Sequence, residues 1–341
     1  MKMSNVERLV EYYPFSDHVL GMVEGAIERQ SGLSFRQLAD RYDIADGPEP
    51  IRVSPKPIEI LRFKPKQDYD ERHARILHTQ YAIPVWSMAT HAMRLFEADP
   101  STQLIMVGNA AAIGNRYNRL SAADVLKVWR GDLKPIVRPH LEYLASIGVT
   151  SVDQIGFSWG ADKAAEASGP EAREYGIGVS KGVYIEPVSV VNRSAWRLLQ
   201  DFRSAEPELN RYMQASDMPA IDDRSKSALG ETMEFLRYVG GMARLSNWAI
   251  DHVLSQKSFS SRAIKVLNGH PDQKTTITIA WGSHSELVPG PAIMDEISII
   301  HKVSQDNAKR VGTILLRGMH HAGGDDIDLH AAIVLQGLHS N

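Results

Sequence analysis

Apolar positions recur with two different periods along this chain. Short apolar or β-branched runs at 58–63, 75–82, 103–108, 154–158, 182–185, 275–281 and 311–316 predict strands. Runs of that length without polar interruption suit strands buried on both faces. Between them, 86–98, 121–147, 290–310 and 327–338 carry apolar residues at helical spacing, and a helix begins again at 161–167. Pro135 and Pro139 predict a break inside the 121–147 stretch, because proline removes a donor and clashes with the preceding turn. Strands alternating with helices of this length imply an α/β fold: a doubly wound, mostly parallel sheet covered on both faces.

Two regions depart from the alternation. In residues 1–50, Val6, Leu9, Val10 and Tyr13 have helical spacing, and 21–27 and 35–39 suggest two further short helices. Asp46-Gly47-Pro48-Glu49-Pro50, with Pro55 and Pro57, then breaks the pattern. We therefore expect an N-terminal helical extension at 1–55. The second region, 193–260, holds only helix-like runs, around Trp196, Leu198 and Leu199, around Met233, Phe235 and Leu236, and around Trp248 and Ile250. A polar stretch with Pro207 and Pro219 separates them. This reads as a helical cap inserted between two strands, leaving 56–192 and 261–341 as the core. The 341-residue length, beyond the usual range of a single domain, accommodates both additions.

Composition narrows the chemistry. No Cys is present, which excludes disulfides, a thiol nucleophile and thiolate metal sites. A formal net charge of −3 gives no electrostatic reason to expect nucleic acid as partner. No apolar run approaches ~18 residues, so no membrane span is expected. The charged N-terminus lacks the apolar core of a signal peptide, and the expected location is cytoplasmic. His320 and His321 with Asp325, Asp326 and Asp328 form the densest His/Asp cluster, but adjacent His residues do not share a face and no HExxH helix exists. Neither a GxGxxG turn opening a helix after the first strand nor a P-loop is found, so no metal, nucleotide or other cofactor is expected.

The sharpest local signal is Gly156-Phe157-Ser158-Trp159-Gly160, between an apolar strand and a helix. A serine on a tight strand-to-helix turn needs small residues two positions away on either side, because the backbone doubles back there. The turn exposes the hydroxyl and brings the Trp159 N–H and the helix N-terminus close to a developing oxyanion. After the last strand, Arg317-Gly318-Met319-His320-His321 supplies a candidate general base.

These motifs, in this order, resemble the α/β-hydrolase family over roughly residues 56–341. His78-Thr79 looks like that family's His-Gly oxyanion segment, with Thr79 where glycine is usual, and the resemblance makes the Gln80 N–H the second oxyanion donor. Asn109 to Gly114 is similar to the family's acidic, glycine-containing turn. The resemblance points to Ser158 as nucleophile and His321 as base, with His320 as its rival. The acid departs from the pattern. Ile279 to Pro289 resembles the loop that usually carries it, but Ser285 stands where the family has Asp. Glu286, one step on and one methylene longer, is the first choice, and Glu186 in Ile185-Glu186-Pro187 is the alternative.

The resemblance implies a serine hydrolase that cleaves a carboxylic ester or related acyl bond in a partly apolar small molecule. The same triad would serve a peptidase or amidase. Thr79 and Ser285 also leave open a hydrolase-like protein that binds without catalysing.

Overall fold

The strands with the most continuous apolar runs become the centre of one sheet. The structure, a computed structural model, describes residues 43–46, 51–53, 56–58, 60–80, 88–108, 120–198, 200–201, 245–269, 275–303, 305–321 and 327–340. The expected helices within 1–42, the 109–114 turn, residues 199 and 202–244 of the expected cap (Met233, Phe235 and Leu236 among them), and Asp325 and Asp326 lie outside these residues.

In chain order the strands are β1 (Asp43–Asp46), β2 (Ile51–Val53), β3 (Lys56–Ile58), β4 (Ile60–Lys64), β5 (His73–His78), β6 (Gln103–Val107), β7 (Ser151–Phe157), β8 (Gly178–Ile185), β9 (Thr276–Gly282) and β10 (Val311–Leu316). Eight of them form one sheet in the order β1-β4-β6-β5-β7-β8-β9-β10, while β2 and β3 pair separately. β4 runs antiparallel to β1 and to β6, and every pairing from β6 to β10 is parallel. The order reverses around β5, with β6 on one side and β7 on the other. Crevices at the carboxyl ends of strands open at such switch points.

The helices are α1 (Ala89–Ala98), α2 (Ala122–Trp129), α3 (Lys134–Ser146), α4 (Trp159–Ala167), α5 (Pro170–Glu174), α6 (Leu245–Leu254), α7 (Phe259–Gly269), α8 (Gly290–Val303), α9 (Gln305–Ala308) and α10 (Ile327–His339). On one face, α1 and α10 bury Leu95, Phe96, Ile333 and Val334 against Phe63, Leu77, Phe157 and Ile314. On the other, α3, α4, α7 and α8 cover Ile76, Ile105, Tyr184 and Ile279. Strand residues alternate between these layers because the side-chain period is two.

Three expectations change. β1 lies in the stretch assigned to the N-terminal extension but pairs with β4, so the sheet begins before residue 56. Its four residues, DIAD, form an edge strand too short and too polar to show as an apolar run. The break in 121–147 falls at 130–133, where Gly131 adopts φ 88°, not at the prolines. Pro135 sits in the first turn of α3, where its missing N–H costs no helix bond, and α3 continues through Pro139. The 75–82 run ends as a strand at His78, and Thr79 and Gln80 leave the sheet.

Candidate active site

The carboxyl end of β7 turns into α4 with almost no room. A Cβ on Gly156 would lie 2.1 Å from the Gly160 carbonyl oxygen, and one on Gly160 would lie 2.5 Å from the His78 carbonyl oxygen. Both positions therefore require glycine. Between them Ser158 adopts φ 57° and ψ −128°, a region that L-residues rarely occupy and that surrounding structure must enforce. Its N–H donates to the Ile185 carbonyl at 2.9 Å, tying the turn to β8. The side chain of Trp159 anchors the start of α4 in the core beside Tyr184 and Val188.

The loop after β10 delivers an imidazole to this turn. Gly318 turns at φ 78°, and the Met319 carbonyl accepts the His284 N–H at 3.0 Å. A Cβ on Gly282 would stand 2.1 Å from that same Met319 oxygen, so glycine is required at the end of β9 for the loop to approach. His321 Nε2 then lies 3.0 Å from Ser158 Oγ, while Nδ1 lies 2.8 Å from Glu186 Oε2. A carboxylate only accepts, so Nδ1 carries the proton and Nε2 is left to accept the serine hydroxyl. Phe157 supports the ring from one side, with centroids 5.1 Å apart. His320 is turned toward His284 instead, at 5.4 Å between ring centroids.

The carboxylate partner corrects the first expectation. Glu286 is exposed, whereas Glu186 is fully buried against His321. Glu186 follows β8 directly and adopts φ 51°, with its N–H donating to the Ala280 carbonyl at 2.8 Å. Its carboxylate also accepts the Gly282 N–H and the Ser285 hydroxyl. Ser285 Oγ in turn accepts the Val288 N–H at 3.1 Å. The residue at the expected acid position thus serves as a hydrogen-bond donor to the carboxylate that reaches in from the neighbouring strand. One extra methylene on Glu286 does not help, because its position in the loop points the side chain to solvent.

Behind Ser158, His321 and Glu186 is a charged network that no sequence motif marked. Asp162 of α4 is fully buried and accepts the Val188 N–H at 3.0 Å, the Ser189 N–H at 3.4 Å and the Ser189 hydroxyl. Arg262 of α7 donates to Asp162 at 3.0 Å and pairs with Glu166 at 3.4 Å. Burial pushes both carboxyls above their usual range, against the pull of Arg262. This network ties the loop that carries Glu186 to the helix that carries Ser158. Its sequence signal was Asp162 and Glu166, one turn apart in a helix that should be covered on both sides.

Of the two expected oxyanion donors, Trp159 N belongs to the first residue of α4, where the helix N-terminus favours negative charge. Gln80 N, just beyond β5, donates to Met88 Sδ at 3.4 Å. Among the described residues, no group of three or more His, Asp or Glu side chains converges as a metal site, and no helix is long and apolar enough to cross a membrane.

The fold agrees with known structures. Three solved structures superpose on most of the chain. MGS-M2, an α/β-hydrolase enzyme from a Medee basin deep-sea metagenome library, matches with a TM-score of 0.53 at 13% identity, covering 86% of this chain and 98% of its own. E-2-(acetamidomethylene)succinate hydrolase matches with a TM-score of 0.53 at 12% identity, over 85% of this chain and 98% of its own. 2-Hydroxy-6-oxo-6-phenylhexa-2,4-dienoate hydrolase from Rhodococcus matches with a TM-score of 0.51 at 12% identity, over 85% and 98%. The chain has the α/β-hydrolase fold. No protein-family model matches the sequence, and no curated protein matches it. In this α/β-hydrolase fold, Ser158 follows the strand next to the switch point, and Glu186 and His321 follow strands further along the same half of the sheet.

Proposed function

We propose that this protein is a serine hydrolase that cleaves a carboxylic ester or related acyl bond. The observation that carries the reading is His321 bridging Ser158 and Glu186, at 3.0 and 2.8 Å, with Ser158 on a strained turn. Ser158 Oγ attacks the carbonyl carbon while His321 Nε2 takes its proton, and Glu186 holds the imidazole in the required tautomer and stabilises its charged form. The N–H groups of Trp159 and Gln80 receive the oxyanion. Sulfur is a weak acceptor, so an oxyanion displaces Met88 from Gln80 at little cost. His321 then protonates the departing alcohol, and the same residue activates water to release the acyl group from Ser158. The 193–260 segment, entering after β8, is assigned as the cap that selects a partly apolar small molecule, and no cofactor is required.

A fluorophosphonate probe tests the reading. Wild type labels and Ser158→Ala does not; a folded wild type that stays unlabelled overturns the proposal. Matched p-nitrophenyl esters and anilides then separate esterase from amidase activity, with ester cleavage expected to be faster.

A further inference from the structure

A second buried polar cluster lies on the side of α4 away from Arg262, directly behind the segment that ends β5. Lys163, the fifth residue of α4, is completely buried. Its Nζ donates to Thr79 Oγ1 at 3.4 Å. No carboxylate among the described residues pairs with it. The groups around it from each neighbouring element are basic or uncharged. β5 supplies His78, whose Nε2 lies 2.7 Å from Gln154 Oε1 of β7. α3 supplies His140, edge-on to His78 with ring centroids 6.1 Å apart. Arg262 of α7 is taken up by Asp162 and Glu166.

Burying an ammonium without a counter-ion is costly, and such groups concentrate where a site uses their charge. Here burial lowers Lys163 to about 7. His78 is lowered to about 3 by burial first and by Lys163 second, and His140 falls well below its usual value through burial first, then His78 and Lys163. Both imidazoles are therefore neutral, and Lys163 is the group in this cluster that titrates near neutrality. It contacts the residue immediately before Gln80, and a charge in a dry interior acts over a longer range than one in water. Thr79, where glycine is usual in the segment it resembles, provides the hydroxyl that receives the ammonium.

We infer that Lys163 is a positioning residue for the oxyanion site, holding the Gln80 segment through Thr79 and placing a buried positive charge behind the developing oxyanion. The inference rests on the serine-hydrolase reading. Its consequence is an alkaline limb in the pH dependence: activity falls as Lys163 loses its proton at higher pH.

The test compares kcat and KM on one ester from about pH 5 to about pH 10 for wild type, Lys163→Met and Thr79→Val. Lys163→Met is expected to lower kcat about tenfold, to leave KM within about twofold, and to abolish the alkaline limb. Thr79→Val removes the acceptor of the ammonium but keeps the charge. Its alkaline limb is expected to remain and to move to lower pH. A wild-type alkaline limb in Lys163→Met, or a kcat within twofold of wild type, overturns the inference. Should Lys163→Met not fold, Thr79→Val decides, and an unmoved limb overturns it. Fluorophosphonate labelling separates the two levels. An unlabelled wild type removes both readings, whereas a labelled wild type whose pH profile ignores Lys163→Met removes this one alone.

Discussion

Ser285 donates its hydroxyl to the Glu186 carboxylate, so the residue at the expected acid position supports a carboxylate that arrives from a different strand. The two carboxylates considered from sequence therefore have unequal prospects. Replacing Glu186 by Gln removes the charge and turns one of the two acceptor oxygens into an NH2 donor, so the His321 tautomer is no longer fixed, and is expected to cut kcat by about 10³- to 10⁴-fold. Glu286→Gln is expected to stay within about twofold of wild type. Steady-state kinetics on a p-nitrophenyl ester checks both. Equal losses in the two variants would contradict the assignment of Glu186.

Ser285→Ala tests the support itself. Glu186 would keep its bonds to His321 and the Gly282 N–H but lose the hydroxyl, and the buried Val288 N–H would lose its acceptor. We expect kcat to fall about tenfold with little change in KM, measured with circular dichroism as a check on folding.

The two neighbouring histidines divide cleanly. His321→Ala is expected to lower kcat by several orders of magnitude, roughly 10⁴-fold or more. His320→Ala, whose ring faces His284, is expected to keep near-wild-type rates. Reversal of that ranking would move the base to His320.

Arg262 serves two buried carboxylates. Arg262→Met leaves Asp162 without its ionic partner in a fully buried site, at a cost of about 3–5 kcal/mol in urea unfolding. Since Asp162 also holds Val188 and Ser189, kcat is expected to drop further than the loss of stability requires. Unchanged stability would mean that the network is less tightly coupled than the distances indicate.

Lys163 also has a stability signature independent of catalysis. Its folded value of about 7 lies below the ordinary 10.5, so between those values the unfolded chain binds more protons than the folded one. Stability contributed at this site therefore rises as pH rises through that window, and the penalty is complete below it. Lys163→Met is expected to be more stable than wild type at about pH 6, with the difference closing by about pH 10. Chemical denaturation at both values measures it.

Much of this arrangement is legible in the amino-acid sequence. Apolar runs such as 103–108 and 311–316 marked strands within a residue of their observed bounds, because buried parallel strands carry continuous apolar sequence. The Gly156–Gly160 pentapeptide was legible because two close backbone approaches demand glycine at fixed positions. β1 was not legible, since an edge strand needs backbone partners rather than an apolar pattern.

What the sequence by itself determined, then, is the alternation that makes a doubly wound sheet, the tight turn that carries Ser158, and a histidine after the last strand. Each depends on local pattern: hydrophobic period, glycine at a tight turn, position at a strand end. Only the tertiary structure decided which carboxylate meets His321 and what surrounds α4. Glu186 and Ser285 are 99 residues apart in sequence, and Asp162 and Arg262 are 100 apart. Such pairs leave no local pattern, because they are set by the lateral order of strands and by the direction in which a buried side chain leaves its helix.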